Sequence, residues 1–139
     1  MSRSLAIAVA TAALVGCSSP PYCGESFCLT EKPTAVSKAT PVEDFNLYTV
    51  DFAGRRFLIY EGNHPNSDGD HDFGLSGPDS VPAGFVEGRL FGSQRGYQIV
   101  LRTTNRKWPT YLAVSAVTKN PNDLDLLVSK LRGKQSKES

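Results

Sequence analysis

Phe45-Asn-Leu-Tyr-Thr-Val-Asp-Phe-Ala-Gly-Arg-Arg-Phe-Leu-Ile-Tyr60 consists of two runs rich in aromatic and apolar residues, hinged on Ala53-Gly54-Arg55. Such side chains suit a pleated, half-buried surface, and glycine supplies the positive φ that a tight reversal needs. The stretch predicts an antiparallel hairpin turning at Gly54. Downstream, Phe85 to Phe91 is a third candidate strand, although it contains Gly88 and follows Gly84. Tyr97, Ile99, Leu101 and Thr103 alternate with Gln98, Val100 and Arg102, the period of a half-buried strand. Tyr111 to Val117 makes one more, joined to it through Asn105-Arg-Lys-Trp-Pro109.

The C-terminal pattern changes period. Asn120 is a candidate cap, Pro121 suits the first helical position, and Asp123 and Asp125 complement the positive end of a helix dipole. Leu124, Leu127, Val128 and Leu131 recur at i, i+3, i+4 and i+7 and form one apolar stripe. Lys130, Arg132 and Lys134 gather at the negative end, and Gly133 offers a stop. The expected fold class is α+β: an antiparallel sheet of about four or five strands with one C-terminal helix packed on a face. Residues 44–133 form the single domain, and residues 134–139 a frayed tail.

At the other end, Met1-Ser-Arg-Ser4 carries one positive charge, and Leu5 to Val15 is apolar except for Thr11. These are the n-region and h-region of a signal peptide, shorter than the roughly 20 apolar residues that span a bilayer. The following Leu14-Val15-Gly16-Cys17 resembles the lipobox of bacterial lipoproteins. The resemblance covers residues 1–17 only. It implies cleavage before Cys17, a diacylglycerol on the thiol, and acylation (palmitate) of the freed amine. Ser18 stands where inner-membrane retention signals of enteric bacteria carry Asp, so the resemblance implies the outer membrane, on its periplasmic leaflet. Each buried acyl methylene contributes about 0.8 kcal/mol, so two or three chains would hold the protein without a peptide span.

Assigning Cys17 to lipid leaves Cys23 and Cys28 of the three cysteines. In an oxidising compartment two nearby thiols form a disulfide, here around Gly24-Glu-Ser-Phe27, and its short loop stabilises only modestly. A redox or zinc pair is the alternative, for which Cys-x-x-Cys is the usual spacing. Residues 17–43 are rich in Ser, Pro, Thr and Lys and read as a tether, able to hold the domain tens of ångströms from the membrane at roughly 3 Å per residue.

The 139-residue chain has a formal net charge of +1, and removing residues 1–16 takes away only Arg3, leaving zero. That balance argues against nucleic acid as a partner. The charges are segregated nonetheless. Residues 61–87 hold six acids and no Lys or Arg, whereas residues 89–119 hold six bases and no acid. The two stretches either pair across the sheet or make the domain dipolar towards a protein partner.

One polar constellation stands out, Gly62-Asn-His-Pro-Asn-Ser-Asp-Gly-Asp-His-Asp-Phe-Gly74. Asp68, Asp70 and Asp72 alternate, and Asp79 falls where the last acidic ligand of an EF-hand-like loop would lie. Hard oxygen ligands at this spacing nominate Ca²⁺. The pattern departs from that loop at Phe73, where Gly is required, and at Asp79, where Glu is usual. A solvated acidic loop is the alternative. His64 and His71, with Asp70 or Asp72, nominate a transition metal, though at no helical metal-motif spacing. Trp108, flanked by Arg106 and Lys107, is a partner anchor if exposed and a packing residue if buried. No nucleophile elbow, phosphate loop, zinc-protease helix or dinucleotide fingerprint occurs, so no catalytic residue is nominated and no cofactor is required. The expected function is a membrane-anchored periplasmic module that binds or scaffolds another envelope protein. A Ca²⁺-binding or metal-dependent module and an immunity or exclusion lipoprotein are the alternatives.

Overall fold

A computed structural model describes residues 20–40, 44–65, 71–72 and 81–134. The hairpin predicted around Gly54 is present. Strand β4 (Phe45–Phe52) pairs with β5 (Arg55–Gly62) from Phe45↔Gly62 to Phe52↔Arg55. Two residues reverse the chain, Ala53 at φ 51° and Gly54 at φ 73°. Positive φ at both positions matches the twist of the flanking strands, and Asn-Gly or Gly-Gly is the usual solution. Ala53 is therefore a strained choice, and Ala53→Asn is expected to add about 0.5–1 kcal/mol. The check is the urea midpoint, which should rise at unchanged m.

Around this hairpin the other expected strands assemble: β7 (Phe85–Ser93), β8 (Gly96–Thr103) and β9 (Tyr111–Ala116). With β3 (Ala35–Lys38) and the two-residue β6 (His71–Asp72) they form an antiparallel sheet ordered β3-β4-β5-β9-β8-β7-β6. Alternation decides what faces inward. Tyr48, Val50 and Phe52 of β4, Phe57 and Ile59 of β5, Ile99 and Leu101 of β8, and Leu112 and Val114 of β9 are all buried.

Three expectations are corrected. The sheet is larger than four or five strands. The segment expected as a tether, residues 17–43, carries in its described part not only β3 but also β1 (Tyr22–Cys23) and β2 (Phe27–Leu29). Phe27, Cys28 and Leu29 are 0–1% exposed. Three consecutive apolar residues sufficed to bring a Pro- and Lys-rich segment into the core, so the folded unit starts before residue 44. The Cys23–Cys28 disulfide is present, and the two residues face each other across the β1–β2 pair.

The helix is also shorter than expected. It spans only α1 (Asp123–Val128), starting after Asn122 instead of Asn120, and its last turn has no basic residue. Asn120 instead accepts a bond from the Asn122 N–H through its side chain (3.1 Å). Leu131 leaves the helix because β2 offers an edge. Strand β10 (Leu131–Gly133) pairs with it, Leu131↔Leu29 to Gly133↔Phe27. Lys134, expected in the tail, still donates its N–H to the Ser26 carbonyl (2.8 Å). A second sheet, β1-β2-β10, thus joins α1 over the inner face of the large sheet, and Phe27, Leu29, Leu124, Leu127 and Leu131 close the core. Gly133 and Gly84 meet so closely that a Cβ on Gly133 would lie 2.3 Å from the Gly84 carbonyl oxygen. That approach ties β10 to the start of β7. Among the described residues no helix is long and apolar enough to cross a membrane.

Candidate functional site

The end of β5 organises the surroundings of the site. Phe57, Ile59 and Glu61 share one parity, so Glu61 points into the core, where it is 0% exposed. Its neighbours are all donors. Oε2 accepts from Ser26 N (2.6 Å) and Ser26 Oγ (2.5 Å), and Oε1 from Tyr48 Oη (2.5 Å), Glu25 N (3.3 Å) and Asn46 Nδ2 (3.4 Å). This set matches the acceptor oxygens of a carboxylate, and it fastens the disulfide-closed loop 24–27 to the large sheet. Among the described residues every buried side-chain nitrogen or oxygen has a partner. No motif singles out Glu61; parity places it on the face of Phe57 and Ile59, and the assembled sheet makes that face the buried one.

Burial and the bond to Glu61 hold the Tyr48 phenol far above its ordinary range, and burial followed by the charge of Glu61 raises that of Tyr22. A raised folded-state value means that both states keep the proton below about pH 10. Above it the unfolded chain loses the proton first, so stability falls as pH rises. The urea midpoint should therefore drop between pH 9 and pH 11, and less steeply in Tyr48→Phe. Equal slopes in the two proteins would refute the assignment.

Two residues beyond Glu61 the strand makes a second clasp. Asn63 donates through Nδ2 to the Lys107 carbonyl (3.0 Å) and accepts at Oδ1 from the Thr110 N–H (3.0 Å). Thr103 Oγ1 holds the same turn by donating to the Pro109 carbonyl (2.6 Å), and the Trp108–Pro109 bond is cis. Trp108 is not packed away. It remains 41% exposed while its indole N–H donates to the Asp44 carbonyl (3.0 Å). Arg106 and Lys107 beside it are exposed. The turn is thus an aromatic and basic projection fixed at several points.

Next to it, on the face turned away from α1, lies a groove of about 530 Å³ lined by Asn63, His64, Arg89, Phe91, Arg102 and Tyr111 among others. Register places Arg89 opposite Val100 and Glu87 opposite Arg102 on this face. Arg102 Nε lies 3.8 Å from Glu87 Oε1, an exposed pair that contributes little to stability. It is one contact between the acidic and basic stretches. His64 is held at the rim, its N–H donating to Tyr60 Oη (3.0 Å). Glu87 lines the groove as well, so apolar Phe91, Val100 and Tyr111 are bordered by charges of both signs.

The nominated metal ligands are not brought together by anything described. Asp68, Asp70 and Asp79 lie outside the described residues. His71 and Asp72 form β6, whose backbone pairs with Gly92 and Phe91 of β7. Among the described residues no three His, Cys, Asp or Glu side chains converge as a metal site. No family model, curated protein or solved structure matches this chain.

Proposed function

We propose that this chain is a lipid-anchored protein of the bacterial envelope, on the periplasmic leaflet of the outer membrane, that binds another envelope protein. The contact surface is the Trp108 turn together with the groove beside it. One observation carries this reading: a tryptophan held at its indole nitrogen and through its turn by Asn63, yet left 41% exposed. Immobilised, half-exposed aromatics flanked by cations supply binding energy at little conformational cost. Arg106 and Lys107 would steer an acidic partner.

Trp108→Ala should cost about 1–3 kcal/mol, for the indole bond to Asp44 and the buried part of the ring, and leave the domain folded. It should also lower recovery of the partner at least tenfold in a pull-down from solubilised envelope, with Cys17→Ala as the anchoring control. Identical sets of captured proteins with and without Trp108 would end this reading. A Ca²⁺ role for Asp68, Asp70, Asp72 and Asp79 remains a separate proposal, tested by calorimetric titration of the wild type against Asp70→Asn.

A further inference from the structure

The end of the large sheet opposite Trp108 carries a different surface. There the β4–β5 turn, the β7–β8 turn and the exit of β9 lie side by side, since Phe52 pairs with Arg55, Ser93 with Gly96 and Tyr97 with Ala116. They bring together four basic residues: Arg55, Arg56, Arg95 and Lys119. Val117, at 92% exposure, and Leu58, at 42%, stand among them. Arg55 pairs with Asp123 (3.2 Å) and Arg56 with Asp51 (2.9 Å). Arg95 and Lys119 have no ion-pair partner among the described residues, and counting those residues alone the tip carries an excess of two positive charges. A shallow apolar shelf of about 780 Å³ continues from it over Leu58, Phe91 and Ala116.

The path of the chain says which way this tip faces. Strand β2 runs from Phe27, beside Gly133 and hence near Gly84, towards Leu29, and the chain then reaches Thr34, whose N–H donates to the Asp51 carbonyl at the tip end of β4 (2.8 Å). Strand β1 is antiparallel to β2 and Tyr22 faces Leu29, so the chain enters the domain from that same end. The Tyr22 ring lies 6.2 Å from that of Tyr48, four residues or roughly 14 Å along β4 from Phe52. Five residues from Cys17 to Tyr22 reach at most about 17 Å. A lipid on Cys17 therefore has just enough chain to lie level with the tip, within one or two Debye lengths of its cations.

We propose that the tip of Arg55, Arg56, Arg95, Lys119 and Val117 docks on the anionic phospholipid headgroups of the membrane that holds the anchor. The inference rests on the lipoprotein reading. It adds a fixed orientation: headgroups at the tip, Trp108 and its groove roughly one strand length away, facing the aqueous side. Two excess cations and one exposed valine bind a membrane weakly alone, but the anchor supplies the high local concentration that makes weak docking effective.

The test separates tip from anchor. The full chain carrying Cys17→Ala is mixed with vesicles of phosphatidylcholine, or of phosphatidylcholine with one quarter phosphatidylglycerol, and sedimented. The uncleaved signal segment is common to every arm and sets the baseline. Binding to the anionic vesicles should exceed that baseline about tenfold at low salt and return towards it at 0.5 M salt. The added Arg95→Glu and Lys119→Glu changes should abolish the excess. Arg95→Gln with Lys119→Gln is the milder pair should the reversals fail to fold. An excess that survives in these variants, or no excess at all, overturns the docking proposal. Labelled palmitate incorporated by the wild type and not by Cys17→Ala tests the anchor independently. An acylated chain with no anionic preference defeats the tip alone, whereas anionic preference without acylation defeats the anchor alone.

Discussion

Glu61→Ala is expected to lower the unfolding free energy by about 3–5 kcal/mol, a large fraction of what a domain of this size possesses. The loss has two sources. Removing the carboxylate leaves Ser26 N, Ser26 Oγ and Tyr48 Oη without the acceptor they now share, and each buried donor so stranded costs roughly 1–3 kcal/mol. The vacated volume adds a cavity cost, partly relieved if water enters to bridge the donors. Glu61→Gln separates these effects. It keeps the volume and one carbonyl oxygen, which can serve the Ser26 N–H, while the Tyr48 hydroxyl can turn to accept from the new amide. Its cost should be nearer 1–2 kcal/mol. Urea midpoints should therefore order wild type, Glu61→Gln, Glu61→Ala. Native-state exchange should show the amides of Phe27–Leu29 losing protection first in the alanine variant, because Glu61 is what fastens that loop to the large sheet. An alanine variant within 0.5 kcal/mol of wild type would mean the bonds contribute nothing net.

The same residue shows where sequence reading reached and where it stopped. Local alternation is sufficient for β4, β5, β8 and β9, and Gly54 marks the β4–β5 reversal; the β8–β9 connection through Asn105-Arg-Lys-Trp-Pro109 carries no glycine, and β7 is legible only as an apolar run interrupted by Gly88. Parity along Phe57, Ile59 and Glu61 was equally visible, but a glutamate at an inward position is recognised only once the face has been fixed by the rest of the sheet. Leu131 illustrates a different ambiguity. Its place in the i, i+3, i+4, i+7 stripe satisfies a helix, yet one apolar residue fits a strand as well, and the free edge of β2 settled the choice through Leu131↔Leu29 pairing. Asn63 was unreadable for a third reason. Nothing in Gly62-Asn-His-Pro65 says that the amide will meet a backbone carbonyl 44 residues later, since that contact exists only after β5, β8 and β9 are side by side. Exposure of Trp108 follows from the same assembly.

Phe27→Ala is expected to cost about 3–5 kcal/mol, the range for a fully buried phenylalanine. The ring is 0% exposed and stands edge-on to Tyr48 at 5.3 Å between centroids, with Tyr22 at 6.3 Å. Truncation removes that burial, opens a cavity between the two sheets, and loosens the loop whose N–H groups reach Glu61. In a tether the same substitution would stay within about 0.5 kcal/mol, so its size distinguishes the composition of residues 17–43 from their structure. Lys32→Ala, at an exposed position a few residues on, supplies the comparison and should be neutral within that margin. Reducing the Cys23–Cys28 bridge should act in the same direction by only about 2 kcal/mol, since a loop this short restricts little of the unfolded chain. Because the two effects meet in one loop, reduction should cost less in Phe27→Ala than in wild type, a non-additivity expected of neighbours and not of separate sites. The consequence extends to function: if Phe27 carries this much stability, only residues 18–21 separate Cys17 from the first strand, in place of a tether reaching residue 43. A neutral Phe27→Ala would restore the long tether and remove the reason for holding the basic tip against the membrane.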